Sequence, residues 1–302
     1  MVENIDFSSL PSSLFESKVQ LTEGLQYLEF EGAKIAFDFS PSIQPCENLL
    51  VLVNGYQRNR LDFRAFRKKI EKLSPTTATL ALDNRFCGQT TVTSTETLTV
   101  PRMARDVEAL SALFCKALQL NTFSLLGISM GGMIVQTLAS YHSKVNKLFL
   151  ISTTAGGKGR TWPVEVKDPL ALEYKNHYEN LESTKKHMAR YFGKRFLKNS
   201  SLLFEMMCKT LVKSKSDAQD NKNAEIQFYA SASFDRSNHL SEIKAKTFII
   251  SGDEDQIIPV ENASYLSNNI PNSSLTIYSE VGHLILIEEP EKFAIDISNF
   301  LK

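Results

Sequence analysis

One serine lies in a short glycine-rich segment that joins a strand-like run to a helical run. Ser129 is flanked by Gly127 and Gly131 in the pentapeptide GISMG, which follows the apolar run FSLLGI at 123–128. A serine in this setting is held on a sharp, strained turn that points its hydroxyl away from the end of a sheet. The glycines avoid collisions with neighbouring backbone. The segment therefore predicts a fold in which a strand leads directly into a helix, with Ser129 as a candidate nucleophile.

Strand-like and helical segments alternate along most of the chain. An alternating apolar and polar pattern at 25–39, centred on Glu31-Gly32, predicts a hairpin. Further strands are predicted at 48–55, 77–85, 123–128, 146–153, 246–252 and 274–279, and helices at 61–73, 99–118, 130–140 and 288–302. Apolar runs of this kind are typical of strands buried on both faces. We therefore predict an α/β fold with a mostly parallel central sheet, flanked by helices and preceded by an antiparallel hairpin.

The alternation of strands and helices stops between 156 and 240. This stretch is polar, rich in lysine and helix-like, and it contains no convincing buried strand. An insertion between two sheet strands predicts a helical cap over the strand ends, where open α/β sheets bind ligands. A separate small helical domain is the alternative. We divide the chain into an N-terminal arm (1–24), a core (25–155 and 241–302) and a cap insertion (156–240).

Composition narrows the classes of partner. Basic and acidic residues both total 34, so the formal net charge at pH 7 is zero. This balance does not favour a nucleic-acid partner or an anionic membrane surface. The sequence carries neither a basic and apolar leader nor an apolar run of roughly 18 residues, so we expect no signal peptide and no membrane span. The four cysteines form no CxxC pair, and we expect no metal site and a cytoplasmic location.

Ser129 needs a base and an acid, and the strand ends supply candidates for both. Of five histidines, His283 alone follows a predicted sheet strand, whereas His142, His177, His187 and His239 lie in or beside helical or cap-like segments. The segment SGDEDQIIP at 251–259 follows another predicted strand and contains Asp253 and Asp255. An acid at such a strand end would orient the imidazole and stabilise its charged form. We favour Asp255, with Asp253 as the alternative.

Two backbone N–H groups are candidates for stabilising a negatively charged oxygen. The helix that begins at Met130 directs its N-terminus towards Ser129, so the Met130 N–H is one candidate. The loop Val53-Asn54-Gly55-Tyr56 follows a predicted strand. It supplies the Tyr56 N–H as the second, because Gly55 permits a close backbone approach.

Four segments resemble the α/β-hydrolase superfamily over residues 25–302. They are GISMGGMIVQTLA, GDEDQIIP, VGHLILIEEPEKF and DNRFCGQT. GDEDQIIP resembles the superfamily's G-x-x-D-x-x-x-P acid loop, which selects Asp255 over Asp253. The chain order Ser129, Asp255, His283 is also that of the superfamily. Asn54 stands where the superfamily usually has histidine and Phe86 where it usually has glycine, so we expect altered shapes in both turns.

The resemblance implies a serine hydrolase that transfers an acyl group to water without a metal or organic cofactor. A carboxylesterase acting on small to medium apolar esters is the first hypothesis. A thioesterase, a lactonase or an esterase acting on a carrier-linked acyl chain would use the same residues. A non-hydrolytic ligand receptor on the same scaffold is the alternative of a different class. No feature indicates an oligomeric state.

Overall fold

The computed structural model describes residues 9–93, 97–168, 172–214 and 218–302. Its strands are β1 (Gly24–Phe30), β2 (Ala33–Ser40), β3 (Asn48–Val53), β4 (Thr77–Leu82), β5 (Thr91–Val92), β6 (Phe123–Ile128), β7 (Val145–Ile151), β8 (Lys246–Gly252) and β9 (Ser273–Tyr278). Its helices are α1 (Arg64–Leu73), α2 (Val100–Leu118), α3 (Met130–Tyr141), α4 (Leu181–Ala189), α5 (Lys194–Asn199), α6 (Ser201–Ser214), α7 (Ala218–Ala232), α8 (Glu261–Asn269), α9 (Ile285–Glu288) and α10 (Pro290–Leu301).

The nine strands of the described residues belong to one sheet of order β1-β2-β4-β3-β6-β7-β8-β9, with β5 paired to β2. Strand β2 is antiparallel to each of its partners β1, β4 and β5. The neighbouring strands β4, β3, β6, β7, β8 and β9 are all parallel to one another. Glu31 and Gly32 join β1 to β2 with φ values of 41° and 71°, the left-handed pair that a tight hairpin turn requires. The predicted hairpin and mostly parallel sheet are confirmed.

Side chains of the parallel strands are buried on both faces of the sheet. Along β3, Leu49, Val51 and Val53 pack into one apolar cluster, while Leu50 and Leu52 pack into another. The first cluster includes residues of α2, α3 and α8, and the second includes residues of α1, α9 and α10. Successive strand residues point to opposite faces. The apolar runs therefore have no alternation because both faces are covered by helices.

The chain between β7 and β8, here called the insertion, carries α4 to α7. Its two ends meet, since the Arg236 N–H donates to Ala155 O at 2.8 Å. An apolar cluster within it includes Met188, Phe192 and Cys208, and packs against Leu284. The helices of the insertion lie in its second part, because the described residues between β7 and α4 form only a short 3-10 helix, Gly157–Gly159. The division into arm, core and cap stays a prediction, and residues 1–8, 169–171 and 215–217 lie outside the described residues.

Three further details differ from the sequence prediction. The predicted helix at 288–302 is α10, which begins at Pro290, and the short helix α9 before it was not predicted. Glu289 separates the two because Pro290 disfavours a helical conformation in the residue before it. Neither β5 nor α8 was predicted. The two residues of β5 are too few to form a sequence pattern, and α8 is mostly polar. Within the described ranges, no helix combines the length and apolar character that crossing a membrane demands.

Phe114→Ala should lower the free energy of unfolding by about 3–5 kcal/mol. The Phe114 ring is fully buried, stacks on Phe39 at a centroid distance of 4.7 Å and meets Phe37 edge-on at 5.7 Å. Urea denaturation measures the change. Ile295→Ala in α10 is the control, because Ile295 is 47% exposed. Equal losses in the two variants would contradict this account of the core.

Candidate active site

Ser129 occupies a strained turn between β6 and α3. Its φ and ψ are 57° and −121°, a combination that costs a residue with a side chain about 1–3 kcal/mol. Hydrogen bonds hold the turn: the Ser129 N–H donates to Ile151 O at 2.9 Å. Its carbonyl accepts from the Gly132 N–H at 2.8 Å and from Thr153 Oγ1 at 2.7 Å. The tertiary structure therefore enforces the geometry that the glycine-flanked motif predicts.

Backbone segments approach closely around Ser129, so glycine is required at Gly127 and Gly131, and a side chain at Gly55 would fit only tightly. A Cβ atom on Gly131 would lie 2.1 Å from Val53 O, and one on Gly127 would lie 2.3 Å from Gly131 O. A Cβ atom on Gly55 would lie 3.0 Å from the Ser129 Cβ and 3.6 Å from its Oγ. The loop after β3 therefore lies directly beside the Ser129 hydroxyl.

The two predicted N–H donors belong to the residues that follow Ser129 and Gly55 in the chain. Met130 is the first residue of α3, where a backbone N–H has no partner within the helix, and Tyr56 follows Gly55 in the loop beside Ser129. Neither N–H donates to another group in the part of the chain that the structure describes. Burial raises the pKa of the Tyr56 phenol, and the nearby Tyr174 of the insertion raises it further. The Tyr56 side chain therefore stays uncharged.

Asn54, at which the sequence departs from the superfamily, fixes the loop through its side chain. Its Oδ1 accepts from the Gly55 N–H at 2.8 Å. Its Nδ2 donates to Asn59 O and to Asp62 Oδ2, both at 2.9 Å. The Asn54 side chain therefore takes up the Gly55 N–H and ties the loop to the chain before α1.

His283 and Asp255 form a buried pair. His283 Nδ1 lies 2.7 Å from Asp255 Oδ2, and the two side chains are 3% and 0% exposed. The other carboxylate oxygen, Oδ1, accepts from the N–H groups of Ile257 and Ile258 at 2.8 and 2.9 Å. Asp255 is thus held by the backbone and holds the ring through Nδ1. This leaves Nε2 as the nitrogen that can exchange a proton with another group.

Asp253, the alternative acid, has a different set of contacts. Its carboxylate is exposed and accepts from the Glu280 N–H at 2.7 Å and from Ser279 Oγ at 3.1 Å. It stabilises the loop that leads to His283 and does not contact the ring. Of the two candidates, Asp255 is the one that the structure places against His283.

The candidate residues meet at one edge of the sheet. Ser129 follows β6, Asp255 follows β8 and His283 follows β9, and these strands are parallel to one another and to β7 between them. Parallel strands end at the same edge, which is where open α/β sheets bind ligands. The edge therefore gathers a hydroxyl, an imidazole, a carboxylate and two N–H donors.

Two residues beside His283 were not singled out as functional by the sequence reasoning. The Tyr191 carbonyl in the insertion accepts from the His283 N–H at 2.9 Å, and the Tyr191 ring meets the imidazole edge-on at 5.5 Å. Glu288 accepts from the Gly282 N–H at 3.0 Å and from the Gly193 N–H at 2.8 Å. Only Glu288 had a sequence signal, since it lies in the quoted segment VGHLILIEEPEKF.

Burial raises the pKa of Glu288 to about 7. The two backbone N–H donors favour the charged carboxylate, but the loss of hydration outweighs them. Glu288 joins the loop of His283 to the insertion through Gly282 and Gly193. The strength of this link therefore depends on pH.

Phe86, the second departure from the superfamily, adopts the conformation that glycine would favour. Its φ is 62°, and its carbonyl accepts from Gln57 Nε2 at 3.3 Å. The turn is also held by Asp83, which accepts from the Gln89 N–H at 2.8 Å and pairs with Arg60. Phe86 therefore holds a backbone conformation that glycine would adopt without strain.

A cavity of about 190 Å³ lies beside the candidate site. Its lining includes Asn54, Ile128 and Leu284, which are neighbours in sequence of Gly55, Ser129 and His283. The rest of the lining is mostly apolar and comes largely from α1 and α9, together with the charged residues Arg58 and Asp62. The complete lining is formed by Asn54, Arg58, Asp62, Ala65, Phe66, Ile128, Leu284, Ile285, Leu286, Ile287 and Pro290. Among the described residues, no group of three His, Cys, Asp or Glu side chains could hold a metal ion.

A family model described as alpha/beta hydrolase fold matches residues 48–290. Since this covers most of the chain, the protein belongs to the α/β-hydrolase fold family. The resemblance and the fold class inferred from the sequence are confirmed.

Curated relatives and solved structures agree with this assignment. The chain is 28% identical over 182 residues to a 2-hydroxy-6-oxononadienedioate/2-hydroxy-6-oxononatrienedioate hydrolase of Burkholderia vietnamiensis, a match that covers 59% of this chain and only 62% of that relative. It is 27% identical over 240 residues to a poly(3-hydroxyalkanoate) depolymerase of Ectopseudomonas oleovorans, covering 77% and 78% of the two chains. An α/β-hydrolase enzyme from a Medee basin deep-sea metagenome library superposes with a TM-score of 0.76 at 18% identity, covering 91% and 97%. The last comparison concerns the fold alone.

Glu288→Gln should flatten the dependence of stability on pH between about 4.5 and 7. A glutamate has an ordinary pKa of 4.5, whereas Glu288 in the folded protein keeps its proton until about pH 7. The folded state binds more protons in this interval, so the Glu288 contribution to the free energy of unfolding falls as pH rises. Chemical denaturation at several pH values measures the difference between wild type and variant. Glu71→Gln, at an exposed position of α1, is the control, and parallel curves for wild type and Glu288→Gln would refute the prediction.

Proposed function

We propose that this protein is a serine hydrolase that cleaves carboxylic esters, with Ser129 as nucleophile, His283 as base and Asp255 as the orienting acid. The observation that carries the proposal is the buried 2.7 Å contact between His283 and Asp255 at the sheet edge where Ser129 takes its strained turn. A fixed carboxylate on Nδ1 selects the imidazole tautomer that can accept a proton at Nε2. The Met130 and Tyr56 N–H groups form the oxyanion hole.

The reaction proceeds in two acyl transfers. His283 Nε2 takes the proton of Ser129 as Oγ attacks the ester carbonyl, and the carbonyl oxygen becomes negatively charged between the N–H groups of Met130 and Tyr56. Asp255 stabilises the imidazolium. The imidazolium then gives its proton to the leaving alcohol, which departs and leaves an acyl group on Ser129. Water, activated by His283, attacks this acyl-enzyme and releases the acid and the free serine.

Small to medium apolar acyl esters are the proposed substrates. The mostly apolar lining of the 190 Å³ cavity supports this choice, as does the relative named for the hydrolysis of a polyester, a poly(3-hydroxyalkanoate). In this proposal the insertion is a cap that selects the acyl chain. A thioester, a lactone or a carrier-linked acyl chain would react through the same groups.

Hydrolysis of a carbon–carbon bond is the second candidate function. It is favoured by the relative named for 2-hydroxy-6-oxononadienedioate, because a compound of that name carries a ketone and carboxylates but no ester. Arg58 in the cavity lining supplies a positive charge that such a substrate needs, although it pairs with Asp62 at 2.8 Å. Release of product from a 6-oxo-dienoate, with no turnover of esters, would favour this candidate.

A fluorophosphonate probe should label the wild type at Ser129 and leave Ser129→Ala unlabelled. The wild type should also hydrolyse p-nitrophenyl esters, with kcat/KM depending on acyl length because the cavity is small. Peptide mapping of the adduct and a series of esters from acetate to decanoate measure both. If the folded wild type is not labelled, the proposed function is wrong. Labelling with negligible turnover of every substrate would instead support a ligand receptor.

Asp255→Asn should lower kcat for the preferred ester by about 10⁴-fold, because the amide no longer selects the required tautomer of His283. Asp253→Asn is the matched control, since it changes a neighbouring carboxylate that does not contact the ring. Its kcat should stay within about threefold of wild type, as an amide oxygen still accepts a hydrogen bond. Steady-state kinetics at constant pH compares them. Equal losses in the two variants would exclude Asp255 as the orienting acid.

A further inference from the structure

One helix of the insertion is bonded directly to the loop that carries Tyr56. Gln227 in α7 is fully buried, and its amide oxygen accepts from the backbone N–H of Gln57 at 2.9 Å and from Gln57 Nε2 at 3.0 Å. Its amide nitrogen donates to Arg85 O at 2.6 Å. Both ends of this side-chain amide therefore bind the core, one on each of two turns beside the sheet edge.

The first of these turns runs from Gly55 to Arg58. The Arg58 N–H donates to Gly55 O at 3.2 Å and closes the turn. Gln57 has a φ of 53°, whereas Tyr56 is not among the residues with positive φ, which is the pattern of a type II turn. Glycine or asparagine is favoured at the position of Gln57 in such a turn, because other side chains are strained there. Local sequence therefore does not favour this turn, and contacts from outside must hold it.

Gln227 supplies the contact at the point where the turn could change. Type I and type II turns differ mainly in the orientation of the central peptide, which here joins Tyr56 to Gln57. The N–H of that peptide is the one that donates to Gln227 Oε1. Loss of this acceptor would remove a hydrogen bond from a half-buried peptide at a strained residue, so the turn would be freer to relax.

The second turn braces the first. Phe86 is also left-handed, and its carbonyl accepts from Gln57 Nε2, while the adjacent Arg85 carbonyl accepts from Gln227. Asn84 Nδ2 donates to Asn54 O at 2.9 Å, which connects the same two segments from the other side. Gln227 is thus the insertion's contribution to a polar cluster that otherwise belongs to the core.

We propose that Gln227 is a positioning residue for the oxyanion hole: it anchors the strained turn at Gln57 and thereby fixes the position of the preceding residue, Tyr56, whose N–H is the proposed oxyanion donor. This inference rests on the proposed function. Its consequence is that the insertion, besides covering the site, maintains the catalytic geometry of the core. Binding of substrate against α7 is then coupled to the alignment of an oxyanion donor.

Gln227→Leu tests the inference, because leucine has a similar size but neither donor nor acceptor. Loss of one oxyanion donor lowers kcat by about 10²–10³-fold, so misalignment of one should lower kcat for the preferred ester by at least about tenfold. KM should stay within about threefold, since the oxyanion forms only after binding. Affinity for a boronic acid of the same acyl chain should fall in parallel with kcat. Lys222→Leu, an exposed position of the same helix, is the control, and thermal unfolding reports whether each variant is folded.

Rescue by glycine separates positioning from a merely structural role. Glycine adopts a left-handed conformation without strain, so adding Gln57→Gly to Gln227→Leu should recover part of the lost kcat. If Gln227 only packs α7 against the core, the second change recovers nothing. Should Gln227→Leu fail to fold, Gln227→Asn withdraws the same amide by one methylene, and the same loss of kcat with unchanged KM is expected.

The outcomes distinguish this inference from the proposed function. An active wild type labelled at Ser129, together with wild-type kcat in folded Gln227 variants, overturns the positioning role and leaves the proposed function intact. A parallel change in kcat and KM, without rescue by glycine, overturns it as well. A folded wild type that the fluorophosphonate does not label overturns both.

Discussion

The close packing of three backbone segments at the end of the sheet is the constraint on which the site depends. The end of β3, the turn after β6 and the first turn of α3 approach so closely that Gly131 has no room for a side chain beside Val53. This approach forces Ser129 into its left-handed conformation and brings Gly55 against it. The cost of the strained turn is offset by the buried strands on either side, because their packing leaves the turn no alternative path.

Polar groups at the same edge are held mainly by backbone groups. Asp255 accepts from two N–H groups of its own loop before it meets His283. Glu288 and the Tyr191 carbonyl tie the loop of His283 to the insertion. Because Asp255 and the loop of His283 are held by groups with fixed positions, the ring and the carboxylate are aligned without a large conformational change. The insertion therefore contributes to the order of the site.

Sequence reasoning predicted those features that depend on neighbouring residues. The hairpin at Glu31-Gly32, the parallel strands and the serine turn follow from apolar runs and turn chemistry, and the structure agrees with them. It failed where longer-range packing decides the outcome. The short helix α9 before Pro290 was missed, and so was α8, a polar helix whose few buried residues, such as Leu266, pack against the core. Irregular chain before α4 has no periodic pattern from which it could be predicted.

The sequence by itself determined the fold class and the identity of the candidate nucleophile, base and acid, because each lies at the end of a strand within a short motif. The tertiary structure decided which contacts these groups make. The contact of Asp255 with His283, the Asn54 side chain that fixes its own loop, and the bonds from Gln227 to the turn at Gln57 join residues from separate parts of the chain. Gln57 and Gln227 are 170 positions apart, and no local pattern encodes a contact across that separation. Only the folding of the insertion onto the core brings the two side chains together.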